Sequence, residues 1–199
     1  MSTIEKIKEV RSRSGVGMDA CRKALEEAGD DVEKALFILQ QKGAIKAADR
    51  AGRLATEGGV FTYVHGGGKI VAVVEINCET DFAAKSDDFK QFADLVLMQI
   101  TAASPLALRE QQVPLDRWEE QRLVFLAQIP VDAPQDRKDK ILAGKYVKWC
   151  SEICLLEQEA VVTPGKTIDQ LRTELVAKLG ENVTIRRFIR WEMGEGLGK

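Results

Sequence analysis

The residue types suited to chemistry gather in two stretches, His65-Gly66-Gly67-Gly68-Lys69 and Asn77-Cys78-Glu79-Thr80-Asp81-Phe82. A thiol and an imidazole can act as nucleophile and base. Here Cys78 and His65 bracket one predicted strand, which keeps them beyond hydrogen-bond reach of each other. The His-Gly-Gly-Gly run is shaped like an esterase oxyanion turn. No Gly-x-Ser-x-Gly elbow accompanies it, and no second histidine remains to act as base. Gly68-Lys69 lacks the upstream glycine of a phosphate loop, and Ile70 stands where that loop needs Ser or Thr. Asp87-Asp88 fit the first turn of a helix, where the dipole favours anions. Cys21, Cys78, Cys150 and Cys154 are dispersed, so neither a disulfide framework nor a zinc site is expected. No catalytic set emerges, and we expect no enzyme activity, no cofactor and no metal.

What remains is a carboxylate and an aromatic ring, Asp81 and Phe82, on a short loop between two packed elements. Such connections are where binding residues concentrate, although Phe82 can equally fold back onto the core and Asp81 can serve as a local cap. Before the loop, Ile70–Ile76 is apolar on both sides and reads as a well-covered strand. After it, Ser86 is a helix N-cap, and Phe89, Phe92, Ala93, Val96, Leu97 and Ile100 recur on one helical face.

The rest of the chain follows the same logic. Ser2 or Thr3 begins a first helix bearing Ile4, Ile7 and Val10, which Ser14-Gly15-Val16-Gly17 breaks. A second helix spans about Met18–Ala28. A third spans roughly Val32–Gln41 and is ended by Gly43. The three make a bundle resembling the ubiquitin-associated fold. Residues 45–58 read as an exposed linker helix. Strands Val60–Val64 and Lys69–Ile76 flank the glycine turn, and Asn182–Met193 supplies a third strand with Val183, Ile185, Ile189, Trp191 and Met193 on one face. Pro114 starts a helix with Trp118, Leu123, Leu126 and Ala127 as burial candidates. A longer helix covers about Asp136–Leu156, and Thr167 caps the last. The expected fold class is therefore α+β: a three-helix module at 1–44, a linker at 45–58, and a core at 59–199 with a small three-stranded antiparallel sheet and flanking helices.

Across 199 residues the net charge is −2, which argues against a general nucleic-acid binder. No long apolar run suits a membrane span, and the polar N-terminus is unlike a targeting peptide. The cytoplasm is the expected compartment.

Glu75-Ile76-Asn77-Cys78-Glu79-Thr80-Asp81-Phe82-Ala83-Ala84-Lys85 closely resembles the signature of the elongation factor Ts family. Val10–Leu25 resembles that family's N-terminal module, departing at Asp19-Ala20. Leu155–Gln158, Gly165–Ile168 and Gly180–Val183 match it as well. The resemblance implies a guanine-nucleotide exchange factor for elongation factor Tu in the bacterial cytoplasm. It implies that the Asp81-Phe82 loop, with Thr80, enters the partner near its magnesium and phosphate site. Arg11 and Met18 match positions that lie against the partner's GTPase domain. His65 matches a partner-contacting histidine, and a plain turn residue explains it equally. Longer relatives have two core copies and this chain has sheet segments for one, so we expect a homodimer packed sheet to sheet. Two readings from other classes stay open. One is an adaptor whose bundle binds a ubiquitin-like or helical ligand, and the other is a thiol enzyme using Cys78.

Overall fold

The computed structural model describes residues 3–14 and 18–197; the expected cap Ser2 and the breaker Gly15-Val16-Gly17 lie outside them. In chain order the first elements are α1 (Thr3–Ser14), α2 (Met18–Glu27), α3 (Val32–Arg50), β1 (Glu57–His65) and β2 (Ile70–Cys78). There follow α4 (Asp81–Lys85), α5 (Asp87–Ala103), α6 (Leu115–Ala127), α7 (Gln135–Ile153), α8 (Ile168–Leu179) and β3 (Val183–Glu192). The strands form one antiparallel sheet in the order β1-β2-β3, so the fold is α+β as expected. The chain divides into two compact units, one of residues 1–60, 75–92 and 170–186, the other of residues 61–74, 93–169 and 187–199.

The first unit contains the three-helix bundle. Ile7, Val10, Cys21, Ala24, Leu25 and Ala35 form its core, with Ala28, Val32, Leu36, Ile38 and Leu39 packed around it. The chain reverses after α2 through Gly29 and Asp30, both at positive φ, and Asp30 N–H returns to the Leu25 carbonyl at 2.9 Å. Asp31 then accepts from the Lys34 amide at 3.1 Å and starts α3, which pulls its carboxyl below the usual range.

One expectation fails here. The helix predicted to stop at Gly43 runs on to Arg50, so the boundary at 44 falls inside α3 and no separate linker helix exists at 45–58. Gly43 and Ala47 are buried one turn apart, and a Cβ at Gly43 would meet the Ala177 Cβ of α8 at 3.6 Å. Both residues are small, so the hydrophobic pattern does not display this contact. A glycine costs about 1 kcal/mol in a helix, which such tertiary contact readily offsets.

β1 begins earlier than predicted and enters through Gly58. At φ +130° its missing Cβ would lie 2.1 Å from the Ile76 carbonyl oxygen, so only glycine fits. β2 buries Ala72, Val74, Ile76 and Cys78 and leaves Val71, Val73, Glu75 and Asn77 half-covered. In the first unit β3 buries Val183 and Ile185, and Arg186 pairs with Glu75 at 2.7 Å.

The second unit holds the β1–β2 turn, where Gly68 and Lys69 N–H both reach the His65 carbonyl through three glycines at positive φ. It also holds an α6–α7 hairpin. Trp118 lies edge-on to Tyr146 at 4.4 Å between centroids and near Trp149 and Phe125, while Lys145 sits over the Phe125 ring. The expected burial of Leu123 is not seen, since Phe125 takes the ring contact and Leu123 is exposed. At the hairpin base Cys150 and Cys154 pack with Ala107. In the last half of β3 the burial alternation slips by one residue. Phe188 and Arg190 are the better covered there, while Ile189, Trp191 and Met193, predicted to share one face with the buried Val183 and Ile185, are exposed. Arg190 turns toward α5 instead, its Nε donating to the Thr101 carbonyl.

Candidate functional site

The expected loop between β2 and α5 is a single helical turn, α4, and Asp81 and Phe82 are its first two residues. A helix of five residues is far below the length that stands alone. Its only buried residue is Ala83, so packing contributes little to holding it. Hydrogen bonds do the holding. Thr80 is the N-cap, its Oγ1 accepting from the Ala83 amide at 3.3 Å. Thr80 N–H donates to Glu181 Oε2 at 2.9 Å and its hydroxyl to Glu181 Oε1 at 2.6 Å. The Thr80 carbonyl accepts from the Cys78 thiol and the Ala84 amide, both at 3.2 Å. At the far end Ser86 N–H and Oγ both return to the Ala83 carbonyl, and Ser86 Oγ accepts from the Phe89 amide to open α5.

On this pedestal Phe82 is 84% exposed, whereas Phe89, seven residues on, is wholly buried. Asp81 faces solvent and accepts from Lys85 Nζ at 2.6 Å, a hydrogen bond that holds its carboxyl below the usual carboxylate range. The arrangement offers an apolar ring and an anionic oxygen side by side, fixed in direction.

Burial, with the Glu181 charge second, pushes the Cys78 thiol up to about 11, so it carries no thiolate near neutrality. Burial raises Cys150 as well and pushes Cys154 up to about 12. Among the described residues no three acidic, His or Cys side chains are grouped so as to hold a metal ion.

Arg11 and Met18 are both exposed on the bundle of the same unit, Arg11 in the last turn of α1 and Met18 at the start of α2. His65 belongs to the other unit, at the end of β1, where its Nδ1 lies 3.1 Å from the Tyr63 hydroxyl. The structure thus joins Thr80, Asp81 and Phe82 on one element, puts Arg11 and Met18 on the bundle, and leaves His65 to the hairpin turn. Sequence reasoning missed Glu79, Glu181 and Asn182, which brace α4. The one sequence hint is Asn182 and Glu181 directly after the helix-stopping Gly180.

The family model described as Elongation factor TS matches residues 30–195, more than four-fifths of the chain. The chain belongs to the elongation factor Ts family. It is 50% identical over its whole length to an elongation factor Ts of Carboxydothermus hydrogenoformans, covering 92% of that protein. An elongation factor Ts of a Thermoanaerobacter species is 48% identical over 99% of the chain and 97% of its own length. One of Caldanaerobacter subterraneus is 46% identical, with both chains fully covered. These matches extend the elongation factor Ts likeness over residues 1–29, which the family model does not reach.

Proposed function

We propose that this member of the elongation factor Ts family is a guanine-nucleotide exchange factor that binds elongation factor Tu in its GDP form and releases the nucleotide by contact alone, without covalent chemistry. The observation that carries this reading is Phe82, a large apolar side chain left in solvent on a turn fixed from both ends. Covering the ring with a partner removes its apolar surface from water, which favours binding. An exchange factor must bind the nucleotide-free GTPase more tightly than the GDP-bound form, and linkage then weakens GDP by the same factor. Phe82 enters as an apolar wedge and Asp81 perturbs the magnesium and phosphate site, removing part of the charge neutralisation that retains GDP. Arg11 and Met18 anchor the bundle on the GTPase domain, with the β1–β2 turn at His65 as a further contact. The chain works in the cytoplasm.

The second unit exposes Ile189, Trp191 and Met193 beside the half-covered Val71 and Val73 of β2. Pairing of two such sheets in a homodimer covers them. Sedimentation equilibrium is expected to show the dimer at micromolar concentration, and a monomer throughout that range removes it.

The central test is release of fluorescent GDP from the cognate elongation factor Tu. Phe82→Ala is expected to slow stimulated release roughly tenfold, equivalent to ~1.4 kcal/mol of coupling. Asp81→Ala acts in the same direction, and the double variant falls short of additivity because the two share one site. Undiminished release by Phe82→Ala per folded molecule would refute the wedge.

A further inference from the structure

The braces beneath α4 come from more than a hundred residues away, and they are reciprocal. Glu181, just before β3, accepts the backbone N–H and the hydroxyl of Thr80, just after β2. Glu79, just past the end of β2, accepts the backbone N–H of Asn182 at 2.6 Å. Each of the two chain segments therefore gives a carboxylate to the other's backbone. Asn182 is 1% exposed, and its Nδ2 donates to the Arg53 carbonyl at 2.9 Å, which ties the segment after α3 to the same junction.

We propose that Glu79 and Glu181 are positioning residues for nucleotide exchange, a reciprocal clasp that sets the direction in which α4 presents Asp81 and Phe82. Their role presupposes that Phe82 acts on the partner GTPase. Bonds from a charged acceptor to backbone amides are stronger and more directional than neutral ones. Thr80 is held at its amide, hydroxyl and carbonyl together, so the first turn of α4 has little freedom to swing. Freedom that would otherwise be lost on binding is removed in advance, the usual source of gain from preorganisation. Neither glutamate has to touch the partner for this. A loosened α4 still docks through the bundle and yet delivers Phe82 poorly, so the loss falls on the maximal release rate and not on the half-saturating concentration.

The test uses the full-length protein with Glu181→Ala, Glu181→Gln and Glu79→Ala, with Phe82→Ala alongside. Amide hydrogen exchange of the free Glu181→Ala protein is expected to speed up roughly tenfold at Thr80 and Ala83 with the α1–α3 amides unchanged, the loss of one or two hydrogen bonds. In fluorescent GDP release its maximal rate falls about tenfold while the half-saturating concentration moves less than about twofold. Glu181→Gln recovers most of both, since its amide oxygen accepts from Thr80 N–H and its NH₂ donates to the hydroxyl. Glu79→Ala repeats the pattern from the other arm and stands in if Glu181→Ala does not fold. Unchanged protection at Thr80 and Ala83 overturns the clasp. So does a normal maximal rate for the glutamate variants while Phe82→Ala is slow. If Phe82→Ala itself releases GDP at the wild-type rate, the wedge fails first and the positioning role goes with it, even where the amides loosen.

Discussion

In α4 a single exposed ring stands on a turn held by hydrogen bonds, whereas in the α6–α7 hairpin the rings hold one another. Phe82 stands largely in solvent, and Thr80, Glu181 and Ser86 carry the network beneath it. Trp118, Tyr146, Trp149 and Phe125 form the hairpin's own cement, and Leu115, Val131 and Val147 stay outside it. The difference follows from what each force can specify. Apolar burial is strong and non-directional, so it fixes that two helices meet and tolerates small slides. Hydrogen bonds contribute less each, about 1 kcal/mol net, but they fix direction. A contact whose aim matters is built here from polar bonds, and a structural arm is built from rings.

The sharpest way to break this contrast is to truncate two phenylalanines seven residues apart. Phe89→Ala is expected to cost ~3–5 kcal/mol, as for a fully buried ring, while Phe82→Ala stays within about 0.5 kcal/mol. Denaturant unfolding of the two variants measures both. A large loss for Phe82→Ala would make it a core residue and erase the distinction. A smaller effect is expected in the hairpin. Trp118 is only half-buried, so Trp118→Ala costs about 2 kcal/mol, less than a full core ring. Near-UV circular dichroism should lose most of its aromatic signal, because three neighbours lose their common contact. Protection of the Thr80 and Ala83 amides should not change. If those amides loosened too, the two regions would not be independently held.

The same contrast decides what could be read from the chain alone. α5 was legible, because Phe89, Phe92, Ala93, Val96, Leu97 and Ile100 repeat at helical spacing and all six are buried. The strands were legible within a few residues from their alternation and the glycine turn between them. The continuation of α3 was not, since Gly43 and Ala47, the side chains described as buried there, are too small to register as apolar. The far half of β3 misled because a one-residue slip reverses every face beyond it. At the site, Asp81 and Phe82 stand out by residue type and place, yet α4 reads as a loop because five residues carry no periodicity. Its braces, Glu79 and Glu181, lie on segments that only the sheet brings together. No local pattern announces a bond across a hundred residues.

Alkaline pH separates the regions more gently. Cys78 beside α4 is raised by burial from an ordinary 9.0 to about 11; at the hairpin base Cys154 and Tyr146 are each raised, mainly by burial, to about 12. A group whose folded pKa is raised lends stability that is whole below its unfolded pKa and is lost as pH climbs toward the folded one. Stability should therefore hold up to about pH 9 and decline from there. The hairpin has more raised groups, so the fluorescence of Trp118 and Trp149 should report loosening that continues beyond pH 11. Cys78→Ala should make the decline between 9 and 11 shallower and leave the later part alone. A decline that starts well below pH 9 would point to other groups.

The smallest expected effect concerns the carboxylate that shares α4 with Phe82. Lys85 Nζ lies 2.6 Å from Asp81 Oδ2 one turn away, and that hydrogen bond is the main reason the Asp81 carboxyl titrates low, with backbone amides of the turn adding less. A depressed carboxylate stabilises the fold above its ordinary pKa, and that contribution fades as pH falls through the lowered value. Both groups are exposed, so water and salt screen the pair and its stabilisation is slight. Lys85→Met should raise the Asp81 pKa, seen directly by NMR of its carboxyl carbon, and high salt should raise it in the wild type but hardly in the variant. The melting point near neutral pH should scarcely move. If the pKa stays low in Lys85→Met, the backbone amides at the start of α4 hold the charge instead. Asp81 would then be fixed by the same polar wiring as Thr80, and the line between a rigid turn and a free carboxylate on top of it would have to be redrawn.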